Sequence, residues 1–189
     1  MAGRHNSLRD WAARTYAEAF GLSAATVQRV PQWDRWHPCT CADPASPACV
    51  CTHDAERGEL GVWERAVLDV ATSDPRTGRA VYFDVTVVCA HSDDAARTRA
   101  RARADGRAAG DAVADKRRRY ESAGPALRPL AFESGGRPAD GTAAFVRDCG
   151  AALASYGPEV GQLTARLWQE CSTLLQLGNA ELLLSAAGR

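Results

Sequence analysis

The alternation of hydrophobic and polar positions predicts helices at both ends of the chain. Residues 7–22 place apolar side chains at helical spacing on one face, with Ser7 as a candidate N-cap and Gly21 as the stop. Residues 138–156 and 159–187 also have helical spacing. The apolar faces of the first and last of these helices are formed by Leu8, Trp11, Ala12, Tyr16 and Phe20, and by Leu163, Leu167, Cys171, Leu174 and Leu175.

Between these helices, the pattern predicts strands. Two apolar runs, at 64–72 and 79–89, are joined by the turn sequence "DPRTG" and predict a β-hairpin. Shorter strands are predicted within 25–30 and 126–133, and the Ala- and Arg-rich segment 93–121 is predicted to be helical with a break in its middle. This order predicts an α/β fold in which a small mixed β-sheet of about four strands is flanked by helices.

The chain has 189 residues, which is enough for a single domain, 1–189. Within it, the segment 37–59 is rich in Pro and Cys and predicts an ordered insertion or loop, while 158–189 predicts a C-terminal helical extension. No run of 18 apolar residues occurs, so the sequence predicts no membrane span. Seven cysteines without an apolar signal segment indicate a reducing, intracellular compartment.

The cysteines of the 37–59 segment are candidate zinc ligands. They form two C-x-C pairs on either side of seven residues, with His37 and His53 flanking them. Four thiolates suit a tetrahedral, structural Zn²⁺ without an open coordination position. Because C-x-C is a poorer chelate than C-x₂-C, disulfides or unligated thiols stay open as alternatives. The four candidates are Cys39, Cys41, Cys49 and Cys51.

Each strand of the predicted hairpin carries one aspartate inside an apolar run. With Pro75 and Gly78 at the corners of the turn, Asp69 and Asp84 lie opposite each other, with Cβ atoms about 4.5–5.5 Å apart. Two carboxylates this close must share a proton, meet cations or hold a metal ion. Mg²⁺, bound through one or two carboxylates with waters and a substrate phosphate, fits such a pair. A carboxylate at a strand end that pairs with an arginine is the structural alternative.

Lysine is almost absent from this chain, since Lys116 is the only lysine among 23 basic residues. An ammonium is a compact charge whose pKa can fall when it loses water, whereas a guanidinium stays charged and forked. Lys116 is therefore a candidate for orienting an attacking water or stabilising a phosphate in the transition state. The alternative is a leftover lysine in a solvated basic run. Its neighbours Arg117, Arg118 and Arg119 are candidate phosphate contacts, or simply a solvated face.

The two aspartates, which are separated by fourteen residues and of which the second lies in "DVTV", and the later lysine in "KRRRY" resemble the PD-(D/E)xK restriction-like endonuclease superfamily. More narrowly, the chain resembles the endonuclease domain at the C-terminal end of non-LTR retrotransposon polyproteins. The segments that carry this resemblance are, in order, "RHNSLRD", "FDVTVV", "DKRRRY", "LRPLAFESGG" and "LWQECSTLLQLGNAELLL". It covers most of the chain apart from 37–59.

The resemblance implies a restriction-endonuclease-like core in which Asp69 and Asp84 bind Mg²⁺ or Mn²⁺ and Lys116 is the catalytic lysine. In these domains the lysine lies on a helix after the strand, and Thr86 occupies the position two residues beyond the second acid. The "PD" of the family is "LD" here, which matters little because the proline only shapes the entry of the strand.

Two further acidic positions follow from the resemblance. Glu133, at the end of "PLAFE", matches a glutamate often found at that strand end. Val30 stands where the family often has an acidic residue, and Glu18 on the first helix is a candidate for a third carboxylate. Without it the metal affinity is weakened, and a degenerate, non-cleaving domain becomes an alternative.

These observations predict a Mg²⁺-dependent DNA endonuclease of retroelement origin. A different class of function is a non-catalytic nucleic-acid-binding module that uses the arginine clusters and a zinc loop. A third is a structural or interaction protein in which Asp69 and Asp84 pair with arginines. The resemblance further implies DNA and a reverse transcriptase region of the same element as partners, and a nuclear location.

Overall fold

The computed structural model describes residues 2–23, 27–29, 32–40, 51–54, 58–155, 157 and 159–187. Within these ranges the helices are α1 (Ala2–Phe20), α2 (Ala95–Ala102), α3 (Arg107–Arg119), α4 (Asp140–Ala154) and α5 (Val160–Ala187). The strands are β1 (Gln28–Arg29), β2 (Gln32–Pro38), β3 (Thr52–Asp54), β4 (Glu59–Val67), β5 (Val70–Ser73), β6 (Ala80–Val88) and β7 (Leu127–Glu133). A 3₁₀ helix, Glu121–Ala126, connects α3 to β7.

The strands form two small sheets. The larger has the order β1-β5-β6-β7, in which β5 is antiparallel to both of its neighbours and β6 is parallel to β7. The smaller sheet is antiparallel, with the order β2-β4-β3. The parallel pair is joined through α2 and α3, because a parallel connection needs a crossover rather than a tight turn. The predicted mixed α/β class, with small sheets flanked by helices, is confirmed.

The hairpin between β5 and β6 has the predicted register. Val70 pairs with Phe83, so the next position along brings residue 69 opposite residue 84. In the turn, the carbonyl of Asp74 accepts hydrogen bonds from the N–H groups of Thr77 and Gly78 at 3.2 and 2.7 Å. Gly78 has φ of 68°, a left-handed conformation that favours glycine.

The predicted strand 64–72 is interrupted rather than continuous. It divides into β4, which belongs to the smaller sheet, and β5, which belongs to the larger one. Leu68 and Asp69 lie at the bend between them and are both buried. The bend places Asp69 at the point where the chain passes from one sheet to the other.

One face of the larger sheet packs on α1 and α4, and α5 packs on these two helices. The ring of Phe83 lies 5.0 Å from Tyr16 and 5.3 Å from Phe145, and each such aromatic pair adds about 0.5–1.5 kcal/mol beyond the burial of area. Because side chains alternate along a strand, Asp84 points to the opposite face. That face is covered by α3, where Ala109 packs near Ala131. The main core, which contains Phe83, Tyr16 and Phe145, also includes Leu8, Trp11, Val70, Val85, Leu130, Phe132, Val146, Leu167 and Leu175.

The first helix buries the predicted apolar face, but it begins earlier than expected. It starts at Ala2, so Ser7 is inside the helix and does not cap it; its hydroxyl donates to the carbonyl of Gly3 at 3.0 Å. The predicted stop is confirmed, since Gly21 has φ of 63° and Leu22 N–H bonds back to Ala17 O at 2.9 Å.

Two of the predicted segments contain regular structure that packs with the rest of the described chain. The ends of segment 37–59 contribute to strands β2, β3 and β4 of the smaller sheet, so these parts are not a loop. The stretch 158–189 contains α5, and its Leu167, Cys171 and Leu175 are buried in the main core with α1. Its helix is therefore an integral part of the core. Among the described helices, none is long and apolar enough to cross a membrane.

Candidate functional site

The two predicted aspartates lie together on the α3 side of the larger sheet. Asp84, on β6, is 2% exposed, and Asp69, at the β4–β5 bend, is 6% exposed. The two carboxyl groups are close enough for each to change the pKa of the other. The hairpin register places the two residues opposite each other, as the turn sequence predicts.

Lys116 points at this acid pair. It lies in the last turn of α3, and its Nζ is 2.8 Å from Asp84 Oδ2. This distance suits a charge-assisted contact, although the buried oxygen does not meet strict hydrogen-bond angles with any described donor. The attraction is therefore mainly electrostatic. The ammonium also lies 5.8 Å from the ring of Tyr120, which helps to hold it beside the sheet.

A histidine completes the cluster, and sequence reasoning missed it. His5 Nε2, in the first turns of α1, lies 3.1 Å from Asp69 Oδ2 and 3.1 Å from the carbonyl oxygen of Val85. Asp69 Oδ2 also accepts the N–H of Val85 at 2.6 Å. The only signal in the sequence is one histidine in "RHNSLRD". Nothing local to that segment indicates a contact with a residue 64 positions later.

The two carboxyl groups have opposite pKa shifts because their partners differ. Burial raises the pKa of Asp84 to about 6; Lys116 opposes this effect, and the neighbouring Asp69 adds to it. Burial also works to raise the pKa of Asp69, but the hydrogen bond and charge of His5, with the Val85 N–H, outweigh it and hold this pKa below its ordinary value. The hydrogen bond to Asp69 in turn raises the pKa of His5, against the effect of burial. Of the two, Asp84 is therefore the carboxyl group that takes up a proton first as the pH falls.

The structure does not bring Glu18 to the acid pair, so it is not a third carboxylate there. Its side chain is 53% exposed and lies 3.8 Å from Arg166 on α5. It lies thirteen positions after His5 on the same helix, which corresponds to about 20 Å along the helix axis. A pattern on α1 could not show this, because the position of the helix along the sheet is set by tertiary packing.

Two other positions near the pair have clear environments. Glu133 Oε1 accepts the N–H of Ala108 at 3.0 Å, and it therefore caps the start of the helix that carries Lys116. Thr86 is half-buried and, two residues beyond Asp84, points to the same face of β6. Val30 lies outside the described residues.

The three arginines after Lys116 take different directions. Arg118 forms an ion pair with Asp115, and Arg119 lies 5.8 Å from the ring of Tyr120. Arg117 lines a cleft of about 660 Å³ between α3, α4 and the β5–β6 turn. The cleft is also lined by Arg76 and Arg128, but its lining does not include the acid pair.

Two buried carboxylates provide an incomplete set of metal ligands. Among the residues the structure describes, no group of three or more His, Cys, Asp or Glu side chains is arranged to hold a metal ion. Mg²⁺ commonly binds proteins through only one or two carboxylates and keeps several waters, so Asp69 and Asp84 fit this ion rather than one that needs a full protein cage. The zinc prediction cannot be placed, because Cys41 and Cys49 lie outside the described residues.

Comparisons with known proteins assign no relative to the chain. No family model matches it, and no curated protein or solved structure is significantly similar to it. A functional conclusion therefore has to be drawn from the geometry around Asp69, Asp84 and Lys116.

Proposed function

We propose that the protein is a Mg²⁺-dependent DNA endonuclease with a restriction-endonuclease-like core, of the kind found at the C-terminal end of non-LTR retrotransposon polyproteins. The observation that carries the proposal is the convergence of Asp69, Asp84 and Lys116 in one cluster. The three side chains come from the β4–β5 bend, β6 and α3. Buried acids beside a cation are costly for stability, and such perturbed groups concentrate at functional sites.

The topology supports the same proposal. The larger sheet follows one helix, has three antiparallel strands and then a parallel strand reached through α3. This order puts Asp84 on the central part of the sheet and Lys116 on the crossover helix above it. The arrangement agrees with the expectation that the lysine lies on a helix after the second acidic strand.

In the proposed hydrolysis of a DNA phosphodiester, the two aspartates and the lysine have separate roles. Bound Mg²⁺ would lower the pKa of a coordinated water and neutralise charge on the phosphate. Asp69 and Asp84 would bind the ion through their carboxylate oxygens in the ionised form, and any proton bound to Asp84 would be released to solvent. Lys116, 2.8 Å from Asp84, would place its ammonium beside the scissile phosphate and stabilise the charge that develops there.

The test is nicking of plasmid DNA in the presence of Mg²⁺ by the parent and by Lys116→Arg. We expect the variant to lose about 10²-fold or more in rate, because a guanidinium is larger and planar and cannot occupy the position of the ammonium. Its retention on DNA should stay close to the parent value, since the charge is kept. Arg147→Lys, an exposed exchange of the same two residue types on α4, serves as the matched control.

Each result of this assay has a defined meaning. Absence of nicking by the parent with both Mg²⁺ and Mn²⁺ would contradict the endonuclease proposal. Nicking by Lys116→Arg at the parent rate would contradict the catalytic role of Lys116 but not the endonuclease proposal. Asp84→Asn should also lose cleavage, and a higher Mg²⁺ concentration should partly restore it, whereas no such rescue is expected for Lys116→Arg.

A second candidate function is a non-catalytic nucleic-acid-binding module. The observation that favours it is the distribution of exposed arginines, which line the cleft at Arg76, Arg117 and Arg128 and cover α2. Within α2 no side chain is buried, and Arg99 lies in its exposed last turn. Binding of DNA that weakens steeply with salt, without any nicking, would favour this function over the first.

A further inference from the structure

The bend between β4 and β5 leaves part of β6 without a paired strand on the side of β5, while β7 pairs with the other side. β5 begins at Val70, which pairs with Phe83, and the chain then departs toward the smaller sheet. Val85 lies two residues further along β6 than Phe83, so β5 does not reach it. Its backbone N–H and C=O on this side are buried polar groups, which need hydrogen-bond partners.

Two side chains supply these partners. The N–H of Val85 donates to Asp69 Oδ2 at 2.6 Å, and its carbonyl oxygen lies 3.1 Å from His5 Nε2. The same Nε2 lies 3.1 Å from Asp69 Oδ2. Both of these acceptors are oxygens, so the proton of the ring is on Nε2 and is shared between them. Asp69 Oδ2 is thus held by two donors, while Oδ1 is left outside these contacts.

We propose that His5 is a positioning residue for the Asp69 carboxylate. By holding Oδ2 against the edge of β6, it fixes the rotation of the carboxyl group so that the other oxygen is presented toward Asp84. The consequence for a metal ion rests on the proposed function, whereas the positioning of Asp69 does not. Residues that orient metal-binding carboxylates typically change metal affinity by 10- to 100-fold when they are replaced.

The position of His5 is itself well determined. It lies on the same helix as Leu8 and Trp11, which are 0% and 1% exposed and anchor α1 to the core. On its other side, Arg4 bonds to Asn179 of α5, and Asn179 donates to Ser134 O at 2.8 Å. The histidine is therefore presented from a rigid helix rather than from a loose N-terminal segment, as a positioning role requires.

Glutamine and asparagine at position 5 separate a hydrogen-bonding role from other roles. The Nε2 of glutamine is as many bonds from the backbone as the Nε2 of histidine, so His5→Gln can donate to the same two oxygens. The amide nitrogen of His5→Asn is one bond closer to the backbone and cannot reach them. Both variants are uncharged and polar, and Ser7→Ala serves as a control on the same helix, since its hydroxyl bonds only within α1.

The first measurement is Mn²⁺ binding, followed by the loss of the free-ion electron paramagnetic resonance signal. We expect His5→Asn to weaken binding by about 10- to 100-fold and His5→Gln to stay close to the parent. Equal affinities for the parent and His5→Asn, or equal losses for both variants, would overturn the role of His5 in metal binding. If Asp69→Asn itself leaves Mn²⁺ binding unchanged, the proposed metal site fails, and this failure is independent of His5.

The second measurement requires no metal. A hydrogen bond of 2.6 Å shifts its amide proton downfield, so the ¹H–¹⁵N resonance of Val85 reports the position of Asp69 Oδ2. We expect an upfield shift of this proton in His5→Asn and little change in His5→Gln or Ser7→Ala. A Val85 resonance that is the same in all four proteins would overturn the positioning of Asp69, whatever the result with Mn²⁺.

Discussion

Asp69 and Asp84 show how two identical side chains acquire different properties from their neighbours. Asp69 accepts hydrogen bonds from His5 and from the Val85 backbone, and these donors favour its ionised form. Asp84 is even more deeply buried, its cationic neighbour is Lys116, and its pKa rises to about 6 because burial outweighs the effect of that cation. Paired carboxyl groups whose environments separate their pKa values can hold one proton between them. A divalent cation could replace that proton.

The raised pKa of Asp84 makes a prediction about stability. Protonation of Asp84 stabilises the folded state; this contribution is complete below the unfolded pKa of about 3.9 and is lost as the pH rises through about 6. Asp84→Asn should remove this loss, so the free energy of unfolding at pH 7 rises by up to about 3 kcal/mol. Urea denaturation from pH 4 to pH 8, without divalent cations, measures the free energy of unfolding of the parent and of Asp84→Asn.

His5 and Asp69 are present in both proteins, so the difference between the two curves reports Asp84 together with its effect on Asp69. Asp93→Asn, at an exposed position before α2, is the matched control and should follow the parent at every pH. If the curves of the parent and of Asp84→Asn run parallel from pH 4 to pH 7, Asp84 is ionised throughout this range and its pKa is not raised.

At this scale, sequence reasoning could predict the parts of the site that depend on local register. The turn at 74–78 determines which residues of the hairpin face each other, so the meeting of Asp69 with Asp84 follows from spacing alone. His5 and Glu18 depend instead on where α1 lies along the sheet. The core side chains of several elements determine that position together, and a helical pattern carries no information about it.

Among the elements, α3 is the helix that brings Lys116 to Asp84. Its start is determined by Gly106, which has φ of 71° and separates it from α2, and by the Glu133 carboxylate at the N–H of Ala108. From this start, Lys116 lies in the last turn and reaches Asp84. A change in where the helix begins would rotate Lys116 away from the sheet.

Two glycines of this region should therefore respond in opposite ways to alanine. Gly106→Ala places a side chain in the left-handed conformation, with its Cβ 3.4 Å from Pro138 O, and should reduce the free energy of unfolding by about 1–2 kcal/mol. Gly110→Ala lies inside α3 with nothing within 4 Å of the new Cβ, and should stabilise by about 0.5–1 kcal/mol. Thermal and urea unfolding measure both; effects of the same sign would show that Gly106 does not define the break.

The elements that the sequence predicted well are those with a strong local pattern. The break in the 93–121 helix occurs at Gly106, and β7 covers the predicted strand within 126–133. The smaller sheet was not predicted, because its strands lie in and beside a segment whose Pro and Cys content is typical of a loop. The division of 64–72 into β4 and β5 was missed for a related reason, since an apolar run does not show which sheet each half joins.

For the whole molecule, the notable feature is that the first and last helices meet beside the site. Gly178 of α5 lies against Arg4 of α1, and an ideal Cβ at Gly178 would be only 2.4 Å from Arg4 Cβ and 2.9 Å from Arg4 Cα. Arg4 immediately precedes His5, whose ring holds Asp69. The contact between α1 and α5 at Arg4 therefore lies one residue before His5, the side chain that contacts Asp69.

Gly178→Ala should therefore affect both stability and the site. The contact is with backbone and Cβ atoms that cannot rotate away, so α1 and α5 must separate, at a cost of about 1–3 kcal/mol in the free energy of unfolding. The displacement of Arg4 should move His5 as well, and we expect the Val85 amide proton to shift upfield as in His5→Asn. Gly161→Ala, on the same helix with nothing within 4 Å, should change the free energy of unfolding by less than about 1 kcal/mol and leave that resonance in place. Urea unfolding and ¹H–¹⁵N spectra of the three proteins provide both readouts. A destabilised Gly178→Ala with an unchanged Val85 resonance would show that the two terminal helices stabilise the core without orienting the acid pair.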